Sequence, residues 1–419
     1  MKGSVEVFGQ TYEYDFLSGW IKYNRLKKEW SQRALAYGVC SHSHLSYFEN
    51  GKKTLKKDVI EGLLKKLDIK DIKGLEDIGL IRQKLYNMFS EIESFNYESA
   101  KKIYKEIKDM EKLINLSPYN IEYKIYELVY KFFVEEKTFD DLKKDIHSID
   151  KIYFSLNKEL KFIYMLISGK IIYKTKDHDE GIKRLKAAKK IKETPLVNYF
   201  LGSAYYLKNK PLESIIYMQR ALESYEKIGR YINAMWCNNY LGISYLSLKL
   251  FKRAEKHFKG AITAAKHFDN KPILVHLYNN LAALYIRKKE FKKSLYWSKK
   301  ILHNETNPII PACNYIYACN KLEKIDKCRE IFDIYLVDKY KDNICYLFLV
   351  FLYYLVFHFE DDIFYQKVTK EILPYYEEKN QVHLSDVIKQ HLILYLEKNR
   401  KYKEANTYYK EICKSHFYI

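Results

Sequence analysis

Residues that break helices are scarce in this chain. Fourteen glycines and seven prolines among 419 residues supply too few turn positions for a sandwich, barrel or doubly wound sheet, whereas Lys, Glu and Leu, all abundant, favour helix. Almost no sheet is expected. Seven cysteines form no CxxC pair and no Cys/His group at zinc-ligand spacing, and Cys313, Cys319 and Cys328 fall on separate helical positions, so neither a disulfide framework nor a metal site is indicated. G-x-x-x-x-G-K-[ST], G-x-S-x-G and HExxH are all missing and the histidines are scattered, which argues against catalysis and against any cofactor. The first residues, MKGSVEVFGQTYEYDF, lack the apolar core of an export signal, and a cytoplasmic protein is expected. No apolar run is long enough for a membrane. Ile344 to Phe359 is the longest, 16 residues where about 20 are needed to span, and it is bounded by Asp342 and by Glu360 to Asp362. It reads as a buried helix or as half of a dimer contact.

Charge is abundant and one-sided, with a formal net of +20. That points to a polyanionic partner, but residues 1–75 hold 14 Lys/Arg against 9 Asp/Glu. Only a quarter of the excess therefore lies at that end, and the rest is spread over helix faces, where it could also attract an acidic ligand.

Ser31 to Gly51, SQRALAYGVCSHSHLSYFENG, has the grammar of a helix-turn-helix. Ser31 and Ser41 can each cap a helix start, Gly38 suits a turn with positive φ, and Gly51 ends the second helix. Leu45 and Phe48 should face inward. The opposite face then carries Ser43, Ser46, Tyr47 and Asn50, with His42 and His44 near the N-terminal end. In such a helix the first residues reach base edges, which assigns His42, Ser43 and Tyr47 to bases and Gln32, Asn50 and Lys52 to phosphates. Helix 1 is expected over Trp20 to Glu29, with Lys22, Arg25, Lys27 and Lys28 as its basic surface. Residues 1–18 are expected to form an arm or short helix packed outside this domain through Tyr12, Tyr14 and Phe16.

The motifs W20-I-K-x-x-R25, W30-S-Q-R-A-L-A36 and L45-S-x-F-E-N-G51 resemble the Xre/lambda-repressor-like DNA-binding domain. One residue fewer than usual separates Leu35 from Leu45, and that short turn is similar to the PlcR-like branch of the RRNPP family of peptide-pheromone receptors. The resemblance implies a tetratricopeptide array after the small domain, with boundaries at 1–72 and 73–419 and a linker over Asp68 to Gly79.

A long repeat does follow. Leu201-Gly202…Tyr205…Ser214, Leu241-Gly242…Tyr245…Ala254 and Leu281-Ala282…Tyr285…Ser294 recur with a period of 40 residues. Weaker copies centre on Ala100, Leu142, Gly169 with Gly181 and Leu185, Cys328 and Ala405. Small residues let paired helices approach, and the tyrosines fill the gap to the next pair. A pair cannot bury its own apolar face, so about eight or nine must stack. The expected fold is all-α: a helix-turn-helix domain followed by a right-handed α-solenoid of tetratricopeptide-like hairpins with a concave groove.

Asparagines recur on the first helices of successive copies: Asn198, Asn238, Asn239, Asn279, Asn280 and Asn314. A carboxamide offers both donor and acceptor to an extended peptide backbone. Receptors of the resembled family use inner-helix asparagines in this way. The resemblance therefore implies a regulator that binds a double-stranded DNA operator as a homodimer and responds to a short signalling peptide. The alternative is a scaffold with constitutive DNA binding whose repeats hold a protein partner. A further variant, acting on a response-regulator phosphoprotein, would need a catalytic amide or acid in the first repeats, where Gln83 is the lone glutamine.

Overall fold

Ser4–Val7 (β1) and Gln10–Glu13 (β2) pair antiparallel, with Val5 opposite Tyr12 and Val7 opposite Gln10. The computed structural model describes residues 3–8, 10–69, 78–175, 177–302, 308–379 and 381–416. This hairpin replaces the expected arm or short helix, because alternation puts Val5, Val7 and Tyr12 on one face. Helix α1 (Tyr14–Lys27) starts well before Trp20. α2 (Gln32–Ala36), α3 (His42–Glu49) and α4 (Lys57–Lys66) complete the helix-turn-helix. Its punctuation is as read: Ser31 Oγ accepts from the Ala34 N–H at 3.1 Å and Ser41 Oγ from the His44 N–H at 3.2 Å, with Gly38 at φ 72° and Gly51 at φ 67°.

Two compact units divide the chain between Ser244 and Tyr245. In the first, α5 (Ile78–Glu93) pairs with α6 (Tyr97–Asp109), and after the short α7 (Glu111–Asn115) come α8 (Asn120–Phe133) with α9 (Phe139–Ile152), α10 (Lys158–Tyr173) with α11 (His178–Ile191), and α12 (Pro195–Leu207) with α13 (Pro211–Lys227). α14 (Tyr231–Ser247) leads into the second unit. That unit holds α15 (Phe251–His267), then α16 (Lys271–Arg287) with α17 (Phe291–Lys299), and α18 (Ile309–Lys321) with α19 (Ile325–Tyr335). α20 (Tyr346–Phe357) is followed by α21 (Asp362–Lys367) and α22 (Leu373–Glu378), and α23 (Val382–Lys398) pairs with α24 (Tyr402–His416). The architecture is all-α apart from β1 and β2. Val368–Ile372, between α21 and α22, is a π-turn. Pro374 explains it, since the ring displaces the carbonyl four residues earlier and supplies no N–H.

The 40-residue period has a backbone cause. Lys210, Leu250 and Glu290 each donate a backbone N–H to the carbonyl of Tyr205, Tyr245 and Tyr285 at 2.9, 2.9 and 2.8 Å, while Asn209, Lys249 and Lys289 adopt positive φ. One left-handed residue thus closes each helix and reverses the chain into the next.

The helix-turn-helix does not stand apart from the first repeats. Phe16 packs on Tyr119 with ring centroids 4.8 Å apart, and a Cβ on Gly19 would lie 3.2 Å from Ile121 Cδ1. Ser155 Oγ donates to the Glu49 carbonyl. Tyr12 and Phe16, expected to pack an arm on the outside of the small domain, are buried against Tyr119 of the first repeats; aromatic area of this size is worth most where it leaves water. The boundary placed at 72/73 and most of the linker lie outside the described residues. α20 buries Leu349, Phe351, Leu352 and Leu355, leaving Tyr346, Leu347, Val350 and Phe357 half-buried. No helix among the described residues is long and apolar enough to cross a membrane.

Small residues set the helix spacing. At Gly181 an added Cβ would come within 2.5 Å of Tyr173 Cβ and 2.6 Å of its backbone nitrogen, which no side-chain motion relieves. Gly181→Ala should therefore destabilise the first unit by about 2–3 kcal/mol. Gly260, helical and with open space at its Cβ, provides the control, since Gly260→Ala should add about 0.5–1 kcal/mol. Urea unfolding checks both, and equal midpoints for the two variants would refute this account of the spacing.

Candidate nucleic-acid interface and peptide site

Leu45 and Phe48 have no exposed surface and anchor α3 in the core. The other face is presented as expected: His42, Ser43 and His44 are exposed, and Tyr47 shows half its surface. Ser46 is half-buried, and its carbonyl accepts from Asn50 Nδ2 at 2.9 Å. Asn50 Oδ1 in turn accepts from Lys22 Nζ at 3.5 Å. Desolvation lowers the Lys22 pKa, opposed by the nearby Glu49 carboxylate. Lys52 and Lys53 are exposed just beyond the helix. The turn adds a residue that the sequence pattern had not singled out. Tyr37 is 83% exposed, and the Lys66 ammonium lies 5.8 Å from its ring and donates to the Tyr37 carbonyl.

One residue expected on the surface is internal, and another is half-buried beside it. Arg25, assigned to the basic surface of α1, is buried and gives Nε and Nη2 to the two carboxylate oxygens of Glu49 at 2.6 and 2.7 Å, with Nη1 on the Trp30 carbonyl. Gln32, assigned to a phosphate, gives Nε2–H to Glu49 Oε2 at 2.7 Å. Glu49 has no exposed surface, so its charge depends on these donors and on the nearby Lys22. The Arg and Glu of the recognition motif thus orient α1, α2 and α3 rather than touch a ligand.

All six asparagines lie on the first helices of consecutive hairpins, α12, α14, α16 and α18, but in different environments. In the first unit Asn198 and Asn239 are buried, and Asn238 is half-buried. Asn198 Nδ2 donates to Glu193 at 3.1 Å while its Oδ1 has no partner. Asn238 Nδ2 donates to the Ala234 carbonyl at 3.1 Å. In the second unit Asn279, Asn280 and Asn314 are half-buried, and Asn314 Nδ2 donates to Asn279 Oδ1 at 2.8 Å. That bond ties neighbouring first helices together. Asn198 and Asn239 are thus packed inside rather than open to a groove. Gln83, the one amide noted in the first repeats, is exposed on α5.

Over 408 residues, 90% of this chain and 97% of the relative, the sequence is 23% identical to the transcriptional activator NprA of Geobacillus stearothermophilus. The resemblance to RRNPP peptide-pheromone receptors carried by the sequence motifs is thus supported over nearly the whole chain. A second likeness, 27% over 120 residues, is to the regulatory protein RapD of Bacillus subtilis strain 168, and covers 28% of this chain and 34% of RapD. No family model matches. Among solved structures, a Rap protein complexed with competence and sporulation factor has a TM-score of 0.68 at 16% identity, covering 80% of this chain and 97% of that one. NprR in complex with its cognate peptide NprX has a TM-score of 0.59 at 18% identity, again covering 80% and 97%. At these identities the structural likeness shows the helical-repeat fold and nothing finer.

Removing one side of the Arg25–Glu49 pair leaves a buried charge without its counterion. Glu49→Ala should cost about 3–5 kcal/mol of stability in the full-length protein, read by thermal or urea unfolding. A loss below about 1 kcal/mol, the size of an exposed pair, would mean that the pair does not hold the helix-turn-helix.

Proposed function

We propose that the protein is a transcription regulator whose operator binding is set by a short signalling peptide held along the first helices of its repeats. The observation that carries the reading is the pairing, in one chain, of an exposed recognition-helix face with a helical array of carboxamide-bearing first helices. Two relatives support it: NprA is by name a transcriptional activator, and NprR is a protein solved with a cognate peptide. His42, Ser43, His44 and Tyr47 face bases in this reading, while Asn50 and Lys52 approach phosphates. Asn238 in the first unit and Asn279, Asn280 and Asn314 in the second offer a peptide backbone donors and acceptors, with Asn239 on the same helix as Asn238 and Asn198 on the neighbouring first helix. The regulator acts as a homodimer on half-sites one helical turn or a multiple apart, with the half-buried apolar residues of α20 as one contact. Regulation requires the peptide to bind two arrangements of the array with different affinity.

The DNA half of the proposal is tested by two substitutions. Tyr47→Ala should alter base preference at one or two positions, a contact worth about 1–3 kcal/mol, whereas Lys52→Ala should weaken every sequence alike and flatten the salt dependence. Unchanged affinity and preference in Tyr47→Ala would remove this face from the interface. For the peptide half, a pool of short peptides is titrated by calorimetry into wild type and Asn280→Ala, with operator binding followed in parallel. A loss of about 1–3 kcal/mol in the variant is expected. Equal affinity would exclude Asn280 from the site, and binding without any effect on operator affinity would make the protein a scaffold. Light scattering that shows a monomer both free and on DNA would exclude the homodimer.

A further inference from the structure

Lys170 stands in the first unit where a lysine is least expected. It lies in the last turn of α10 and is only 8% exposed, and no carboxylate among the described residues reaches its ammonium. Its neighbours are the Tyr173 hydroxyl and the faces of Tyr173 and Phe200, each ring centre 4.8 Å from Nζ. Tyr173 is itself oriented by Ser203, oxygen to oxygen 2.6 Å. Lys170 lines a cavity of about 80 Å3 whose walls include Phe133 of α8, Leu196 and Phe200 of α12, and Asn233 of α14. The C-terminal end of α5 forms its roof, and Glu93 there is paired with Arg230 at 2.7 Å and accepts Asn233 Nδ2 on its carbonyl at 2.9 Å. The one acid at the cavity is thus already neutralised, and the one uncommitted charge is positive.

We propose that this cavity is a carboxylate-binding site, in which Lys170 receives the carboxylate of a ligand whose apolar group packs among Phe133, Leu196 and Phe200. A buried cation without a counterion is costly, and a ligand anion that supplies one recovers a charge-assisted hydrogen bond in a low-dielectric site. The aromatic faces stabilise the ammonium but cannot accept its remaining protons. Desolvation alone lowers the Lys170 pKa to about 7. The titratable groups around it are Tyr173 on its own helix, Lys174 just beyond its end, Tyr97 on α6, Tyr199 on α12 and Glu93 on α5. Above that pH a carboxylate must therefore bring a proton in with it. The inference rests on the peptide reading only for the carrier of the carboxylate, which is either a peptide C-terminus or an acidic side chain.

N-acetyl-L-leucine and N-acetyl-L-leucinamide differ only in the charged group and serve as probes, titrated into the full chain by calorimetry. Trp236, whose ring lies 5.8 Å from that of Phe95 at the cavity, gives a second, fluorescent signal, assigned with Trp236→Phe. The acid should bind about ten-fold or more tightly than the amide. In Lys170→Met, an apolar chain of similar length, the two should bind alike. Near pH 8, buffers of different ionisation enthalpy should report uptake of about one proton with the acid, falling towards zero near pH 6. Equal binding of acid and amide to wild type, no binding of the acid, or a preference that survives in Lys170→Met would each overturn the proposal, and the wild-type comparison needs no variant to fold. A parallel pair of hexapeptide pools, with free or amidated C-termini, separates the two carriers. The leucine probes involve no peptide, so their failure would leave the peptide-regulated reading standing.

Discussion

Two helices joined by a three-residue turn bury only the stripe between them, and every other feature of this chain follows from how closely that stripe can be made to pack. Gly169 and Gly181 show the limit: a Cβ on the first would lie 3.0 Å from the carbonyl oxygen of the second. At Gly202 the space is taken by Met218, and the Ser214 and Ser244 hydroxyls meet at 3.0 Å inside the first unit. Close approach leaves each pair with an outer apolar face that only a neighbouring pair can cover. The apolar cores are accordingly extended: one contiguous cluster runs from Val7 to Tyr205, and another from Leu302 to Ala405. The helix-turn-helix is drawn into the first of these because α1 supplies the cover that α8 needs.

Apolar packing sets distance but tolerates sliding, and at several junctions partly buried ion pairs set direction. Arg184 forks onto both oxygens of Asp150 at 3.0 Å each and touches the Tyr164 hydroxyl, which ties α11 to α9 and α10. Arg82 bonds Glu122 across α5 and α8. Burial raises the Glu122 pKa to about 7 even with that arginine beside it, so desolvation takes back much of what the pairing supplies. Such pairs contribute little net stability compared with apolar residues of the same volume, and their geometric demand is what remains. In the helix-turn-helix the same logic makes Arg25 and Glu49 the reason that α3 presents its polar face outward.

Local signals were legible in the sequence, and long-range partners were not. Ser31, Gly38, Ser41 and Gly51 act through their immediate neighbours, so their spacing was enough to place α2 and α3. Tyr205, Tyr245 and Tyr285 recur at one position of successive first helices, and periodicity exposed them. Arg25 read as surface because a charged residue on an amphipathic helix usually is; its partner lies 24 residues away. Tyr12 and Phe16 read as an outside arm because Tyr119 cannot be placed against them without the fold. The asparagines were found by type and helix, but their burial depends on a rotation of less than one helical turn. Lys170 gave no signal at all: within ISGKIIY it looks like the solvated residue of an apolar helix, and only packing by α8, α12 and α14 shows that it is buried.

α5 is the element in which these contacts converge. Near its start, Arg82 lies over the Phe16 ring at 5.2 Å and pairs with Glu122; at its end, Glu93 is held by Arg230 and Asn233. Sixteen residues of helix, Ile78 to Glu93, therefore connect the packing of α1 with the polar contacts of α14. A helix transmits displacement along its axis because its hydrogen bonds resist compression, whereas a linker would absorb it. Spatial continuity of this kind is not coupling in itself. Coupling needs a ligand that favours one position of α5 over another, and the roof that α5 forms over Lys170 is the place in the first unit where a bound group would have to distinguish them.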